Sequence, residues 1–224
     1  AYQIKNKDGS FTYYTYKDVY SIVEGLGTSL VNMGLKGKKI AIIGGNCFEW
    51  EIAYLSIVCG TGIVVPIDKT LPENELKSVI ERSGVNAIFY TEKYREVLTR
   101  IKFSSHNNLR HLISMELEQH CGGVYSQREL ASYGRHLIDA GFTEYTDAQN
   151  NICTNLLDID KKLDITSDDV FLSYLPLNHV FECTVGFLFP IYKGAKIVFA
   201  EGTRKIVKNL HDYNVTFFAC VPAI

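Results

Sequence analysis

No C-x-x-C pair occurs in the sequence. Its six cysteines stand apart, at positions 47, 59, 121, 153, 183 and 220, and none falls into zinc-ligand spacing with a histidine. That argues against a structural zinc site and a disulfide framework. The thiols read as reduced and mostly buried, as expected of a cytoplasmic protein. An excess of one charge is missing too: 23 basic residues face 25 acidic ones, for a net charge of −2. No footprint for nucleic acid is left. The one basic cluster, Arg204, Lys205 and Lys208, reads as the solvated face of a helix. The longest run without a charge, Ile52 to Ile67, is shorter than a bilayer span, is interrupted by Gly60 and Gly62, and carries Pro66. No transmembrane segment is expected, and a peripheral membrane contact stays open. The first residues hold no secretory-type apolar stretch.

Short catalytic signatures are absent as well. No G-x-G-x-x-G follows a strand: "GGN" at Gly44 lacks the third glycine, and "GTG" at Gly60 precedes an apolar run instead of following one. There is no Walker G-x-x-x-x-G-K-[ST], no G-x-S-x-G and no H-E-x-x-H. A Rossmann dinucleotide site and these hydrolase and metalloprotease sites are therefore not expected.

What is present is an alternation of strand and helix. Val19, Ile22, Val23, Leu26, Leu30 and Met33 recur at helical spacing, with Thr15 and Asp18 placed as a capping box and Gly34 and Gly37 as stops. "KIAIIGG" is a continuous apolar strand of the kind a parallel sheet covers on both faces. Asn46 is placed to cap the following helix, "FEWEIAYLSIVCG". "IVVPID" and "VNAIFYT" read as further strands, separated by the helix "LPENELKSVIERSG" with Pro72 near its start and Gly84 at its end. A helix at about 94–102, the strand "HLISM" and a helix at about 127–140 follow. Residues 151–157 look helical. "VFLSYLP", "AKIVFA" and "VTFFACVP" then read as strands of a second sheet, connected by helices at about 178–192 and 204–213. In the last of these, Ile206, Val207, Leu210 and Tyr213 form the expected buried face. The fold class is α/β with parallel sheets.

One joint points to a site. In "VFLSYLPLNHVFECTVGF" a strand breaks at Pro176 and an apolar helix begins, with His179 between Asn178 and Glu182 at the junction. Strand-to-helix junctions are where α/β proteins keep ligands, and also where helices need polar caps. Spacing alone leaves both readings open. Glu182 reads as structural or solvated, Asp68 as a loop residue or cap, and Trp50 and the Tyr13, Tyr14 and Tyr16 cluster as packing.

The stretch from "YTYKDVYSIVEGLGTSL" through "KIAIIGGNCFEWEIAYLSIVCGTGIVVPID" resembles the opening of the adenylate-forming synthetases. "SYLPLNHVFECTVGFLFPIYKGAKIVFAEG" and "VTFFACVPAI" extend the likeness, which runs from about Tyr13 to Ile224 and is weakest over 103–148. The "PLNHVFE" wording is most similar to AMP-forming long-chain fatty acid–CoA ligases. The resemblance implies two flavodoxin-like parallel-sheet lobes within an incomplete large N-terminal domain, the C-terminal domain being absent. Lobe one would span about 38–150, and lobe two about 10–37 with 151–224. It implies ATP-dependent activation of a fatty acid through an acyl-adenylate and transfer to coenzyme A in the intact protein, with Mg2+ as the metal and no metal ligand in this stretch. Substrate-binding residues would be His179, Val180 and Phe181, at the wall between acyl chain and adenylate. Amino-acid-activating relatives carry an aspartate in the stretch matching "LPLNHVFE"; its absence here favours an acid without an ammonium group. The family's Ser/Thr/Gly-rich phosphate loop should precede "NNICTNLLD", but "FTEYTDAQ" runs straight into it. A segment is therefore expected to be missing near Gln149–Asn150, and the chain reads as a fragment inactive on its own. The alternatives are an adenylation domain serving a carrier protein, and a non-catalytic flavodoxin-like module. The last would need an acidic cluster at strand ends, where only Asp68 is available.

Overall fold

The computed structural model describes residues 1–6, 8–104, 107–145 and 163–220, which form two units, each built on a five-stranded sheet. Lobe one comprises Tyr20–Gly45 and Glu49–Ala148; lobe two comprises Ala1–Val19, Asn46–Phe48 and Gln149–Ile224.

The sheet of lobe one contains β3 (Lys39–Ile43), β4 (Ile63–Ile67), β5 (Ala87–Tyr90), β6 (His111–Ser114) and β7 (Tyr125–Ser126), in the order β4-β3-β5-β6-β7. Every neighbouring pair is parallel. Counted from its own first strand this is the 2-1-3-4-5 order of flavodoxin-like sheets. In β3 everything after Lys39 is fully buried, which is why an uninterrupted apolar run was needed. The helices α2 (Phe48–Ser56), α3 (Glu73–Ser83), α4 (Arg95–Lys102) and α5 (Gln127–Asp139) connect these strands or follow them. Helix α3 stops where Gly84 takes the left-handed conformation, φ 66°, as its sequence predicts. Helix α5 starts on a true cap, the Ser126 side chain accepting from the Glu129 N–H.

Helix α1 (Tyr16–Asn32) departs from expectation. Its capping box forms: the Thr15 N–H donates to Asp18 Oδ2 at 2.8 Å and the Asp18 N–H donates to Thr15 Oγ1 at 3.1 Å. From Tyr20 onward, however, the helix groups with lobe one, not lobe two. The physical reason lies on α5. A Cβ at Gly134 would run into the carbonyl of Gly25, and a Cβ at Gly25 would run into that of Ala131, so two glycines let the helices close on each other. Ser29 Oγ donates to the Leu130 carbonyl at 2.6 Å, and Arg135 pairs with Glu24 at 2.6 Å.

Lobe two is ordered β10-β8-β9-β1-β2, from β1 (Tyr2–Lys5), β2 (Phe11–Tyr14), β8 (Val170–Ser173), β9 (Lys196–Phe199) and β10 (Phe217–Phe218). Strands β8, β9, β10 and β1 run parallel, while β2 returns antiparallel to β1. That hairpin makes the second sheet mixed, where parallel sheets alone were expected. Helices α6 (Phe189–Lys193) and α7 (Ile206–Asp212) belong to this lobe. The buried face expected at α7 holds for Ile206 and Tyr213, with Leu210 packed against them, and fails at one position. Val207 is 82% exposed, and fully buried Asn209 sits inside instead, because its side chain accepts from the Glu201 N–H and donates to the Glu201 carboxylate, both at 3.0 Å. The thiols are also more open than expected: of the five described cysteines only Cys183 is buried. The expected helix at 151–157 and the junction at Gln149–Asn150 lie outside the described residues.

Candidate functional site

The joint after β8 is built in four steps. Val170–Ser173 are buried between β9 and β10, so the strand delivers Ser173 to the carboxyl end of the sheet with no exposure. The chain then turns at Leu175–Asn178, and the His179 N–H donates to the Pro176 carbonyl at 3.0 Å. A first helical turn follows, in which the Cys183 N–H donates to the His179 carbonyl at 3.0 Å. From Glu182 to Leu188 the chain winds as a π-helix before continuing as α6. Pro190 contributes to that irregularity: it has no N–H to bond the Gly186 carbonyl four residues earlier. Wide turns of this kind recur at functional sites.

The three expected site residues all lie at this joint. His179 is exposed, Val180 is 82% exposed and Phe181 is 55% exposed. Phe181 is thus not the core residue its chemistry suggests.

Three further residues converge there that sequence reasoning did not connect. Glu182 is 1% exposed. Its Oε1 accepts from the Ser173 hydroxyl at 3.1 Å and from the Tyr174 N–H at 3.2 Å. Burial pushes its carboxyl up to about 7, with the two donated hydrogen bonds pulling the other way. Asn46, expected to cap α2, instead reaches the turn. Its amide donates to Ser173 Oγ at 3.0 Å and to the Leu175 carbonyl at 2.6 Å, and its oxygen accepts from the Leu177 N–H at 3.3 Å. The available signals were faint: a lone glutamate in an apolar run, with a glycine four residues on.

The family comparison bears on this joint directly. A sequence profile described as AMP-binding enzyme matches residues 3–132 and 147–224, including every residue just described. The chain belongs to the AMP-binding enzyme family. Among curated relatives of this family, long chain acyl-CoA synthetase 3 of Arabidopsis thaliana is 29% identical, covering 99% of this chain and 38% of its own length. Long chain acyl-CoA synthetase 4 of the same plant is 27% identical with the same coverage. The chain therefore spans well under half the length of these relatives. The first alignment runs over 257 positions against 224 residues here, so at least 257 − 224 = 33 of its positions have no counterpart in this chain. In fold, the N-terminal domain of FACL13 from Mycobacterium tuberculosis matches with a TM-score of 0.77 at 16% identity, over 100% of this chain and 59% of that one.

A nucleotide is the ligand this family implies. The donor set at the β8 joint is an amide, a hydroxyl, a buried carboxyl and an exposed imidazole, with no lysine or arginine among them. A triphosphate asks for a nest of N–H groups and a fixed cation. These residues do not fit a phosphate grip. Among the described residues no group of three or more His, Cys, Asp or Glu could hold a metal ion, and no helix is long and apolar enough to cross a membrane.

Proposed function

We propose that this chain is the first part of a fatty acid–CoA ligase that activates its acid as an acyl-adenylate with Mg-ATP, and that the β8 joint faces the acid. The observation carrying this reading is the character of the joint. An imidazole, a valine and a phenylalanine stand exposed in succession, while the one carboxyl of the segment, Glu182, is folded inward and held near neutrality. An uncharged, largely apolar surface suits an acyl chain. It offers no fixed negative charge for the ammonium group of an amino acid. The names of the plant relatives support the same substrate class. His179 would present a ring nitrogen to the carboxylate or adenylate oxygen, and Val180 and Phe181 would line the acyl chain. The acceptor is coenzyme A in this reading. A cytoplasmic setting is part of the same proposal, on the absence of any C-x-x-C pair in the sequence.

The test is acid-dependent pyrophosphate release by the protein at the full length of its relatives, comparing long-chain fatty acids with amino acids. Release driven by amino acids alone would reverse the reading. In that protein His179→Ala should lower kcat/KM about tenfold to a hundredfold, as expected for losing a hydrogen bond to a charged oxygen. Glu182→Gln should cost far less, and full activity in His179→Ala would reduce the histidine to a cap. The 224-residue chain alone should bind Mg-ATP weakly or not at all. Micromolar binding by isothermal titration would overturn the argument from its missing phosphate grip.

A further inference from the structure

Glu182 sits in a niche cut to its shape. A Cβ built on Gly186 would lie 2.5 Å from Glu182 Cδ and Oε1 and 2.7 Å from Oε2, so only glycine leaves room for the carboxyl to fold back across the π-helix. Oε1 is doubly bonded, by Ser173 and Tyr174, whereas Oε2 is buried and without a partner. Burying a carboxyl in this way costs free energy that a leucine would avoid. Such a group persists where something depends on it.

What depends on it can be traced bond by bond. The Ser173 hydroxyl proton points to Glu182, and its oxygen receives an N–H from Asn46. The second N–H of Asn46 holds the Leu175 carbonyl, and its oxygen holds the Leu177 N–H. Tyr174 is held directly by Glu182. The turn that leads into His179 is therefore gripped at Tyr174, Leu175 and Leu177, and each grip leads back to the carboxyl, directly or through Ser173 and Asn46. The His179 N–H to Pro176 carbonyl bond and the Cys183 N–H to His179 carbonyl bond do not pass through it.

We infer that Glu182 is a positioning residue for His179: through Ser173 and Asn46 the buried carboxyl sets the course of the Tyr174–Asn178 turn and so the direction in which the imidazole faces. The inference rests on the reading of His179 as the substrate-facing group and gives that group a support. An oxygen acceptor at Oε1 is the operative feature, so glutamine at 182 should serve and alanine should not.

The test is amide and imidazole NMR on the 224-residue chain, recorded well below its melting temperature, for Glu182→Ala, Glu182→Gln, Ser173→Ala and Asn46→Ala. In Glu182→Ala, Ser173→Ala and Asn46→Ala the signals of Tyr174, Leu175, Leu177 and the His179 ring should shift, and exchange of the Leu177 amide should rise about tenfold, the loss expected for one hydrogen bond. Glu182→Gln should stay close to wild type. The inference is overturned if Glu182→Ala lowers only the melting temperature and leaves the His179 signals in place, or if Glu182→Gln disturbs them as much as alanine does. Should Glu182→Ala not fold, unchanged His179 signals in Asn46→Ala overturn it equally. This outcome is independent of catalysis. An active His179→Ala ligase would remove the substrate role while leaving the coupling measurable, and an inactive one with an uncoupled Glu182 would do the reverse.

Discussion

Two glutamates sit beyond the ends of neighbouring parallel strands in lobe two and behave in opposite ways. Glu201 follows β9 and meets Lys5 Nζ at 2.7 Å, Lys205 Nζ at 3.0 Å and the Asn209 amide at 3.0 Å. The hydrogen bond from Lys5 is the largest influence, and its carboxyl is pulled down to about 2. Glu182 follows β8 and meets a hydroxyl and a backbone N–H but no cation, and burial lifts it to about 7. The same side chain in one sheet is thus readily ionised at one strand end and resists ionisation at the next. The partners and the water decide it, not the residue. Glu201 staples β1, through Lys5, to the approach of α7, a structural task that tolerates solvent. Glu182 carries its carboxyl inward to the joint that bears His179, the task of a site.

That contrast can be broken from either side, and the largest effect should come from Glu182. Its carboxyl is raised in the folded state, so between pH 4.5 and about 7 the folded protein holds more protons than the unfolded one. Stability should fall as pH rises through that window and level off above it, by on the order of 3 kcal/mol in total. His111, whose imidazole is pushed down by burial, works in the opposite direction below pH 6.5, where stability rises with pH. The informative quantity is therefore the difference between wild type and Glu182→Gln in melts at pH 5 and pH 8. The variant should gain on wild type as pH rises, and parallel curves would show that Glu182 is ionised as easily as a surface carboxylate.

A smaller loss is expected from Gly186→Ala, which forces a Cβ to within 2.5 Å of the Glu182 carboxyl. Overpacking of this kind costs about 1–3 kcal/mol. Denaturant titration should show much of the cost recovered in the double variant with Glu182→Ala. If the two losses simply add, the niche does not exist.

The smallest effect belongs to Glu201. Its pairs are largely open to water, so Glu201→Gln should cost less than about 1 kcal/mol. Because its carboxyl is lowered in the folded state, that contribution should be present at neutral pH and lost as pH falls below 4.5 toward 2. Added salt should shrink it further. A loss as large as that of a buried pair would mean the staple is shielded from solvent.

Much of lobe one was legible in advance. A parallel strand buried on both faces must be apolar throughout, and "KIAIIGG" and "VNAIFYT" are; the helix between "IVVPID" and "VNAIFYT" announces itself through period, Pro72 and Gly84. The family likeness of "SYLPLNHVFE" was legible too, and with it the importance of the joint. Less visible were the β1–β2 hairpin, too short and polar to separate from a loop, and the allegiance of α1, which turns on two glycines 109 positions apart, Gly25 and Gly134. Val207 and Asn209 traded places because a hydrogen bond to Glu201 outweighed an apolar side chain, a choice no periodicity records.

By itself, then, the amino-acid sequence determined the α/β alternation, the first sheet and the family, because those depend on local period and on long patterns that side chains write directly along the chain. Only the tertiary structure decided that Asn46 grips a turn more than 120 residues away, that Phe181 stands in water, and that Glu182 is a nearly neutral acid while Glu201 is a strong one. Each of those depends on which groups meet across sequence distance and on how much water remains between them, and neither is written in the order of residues around the group itself.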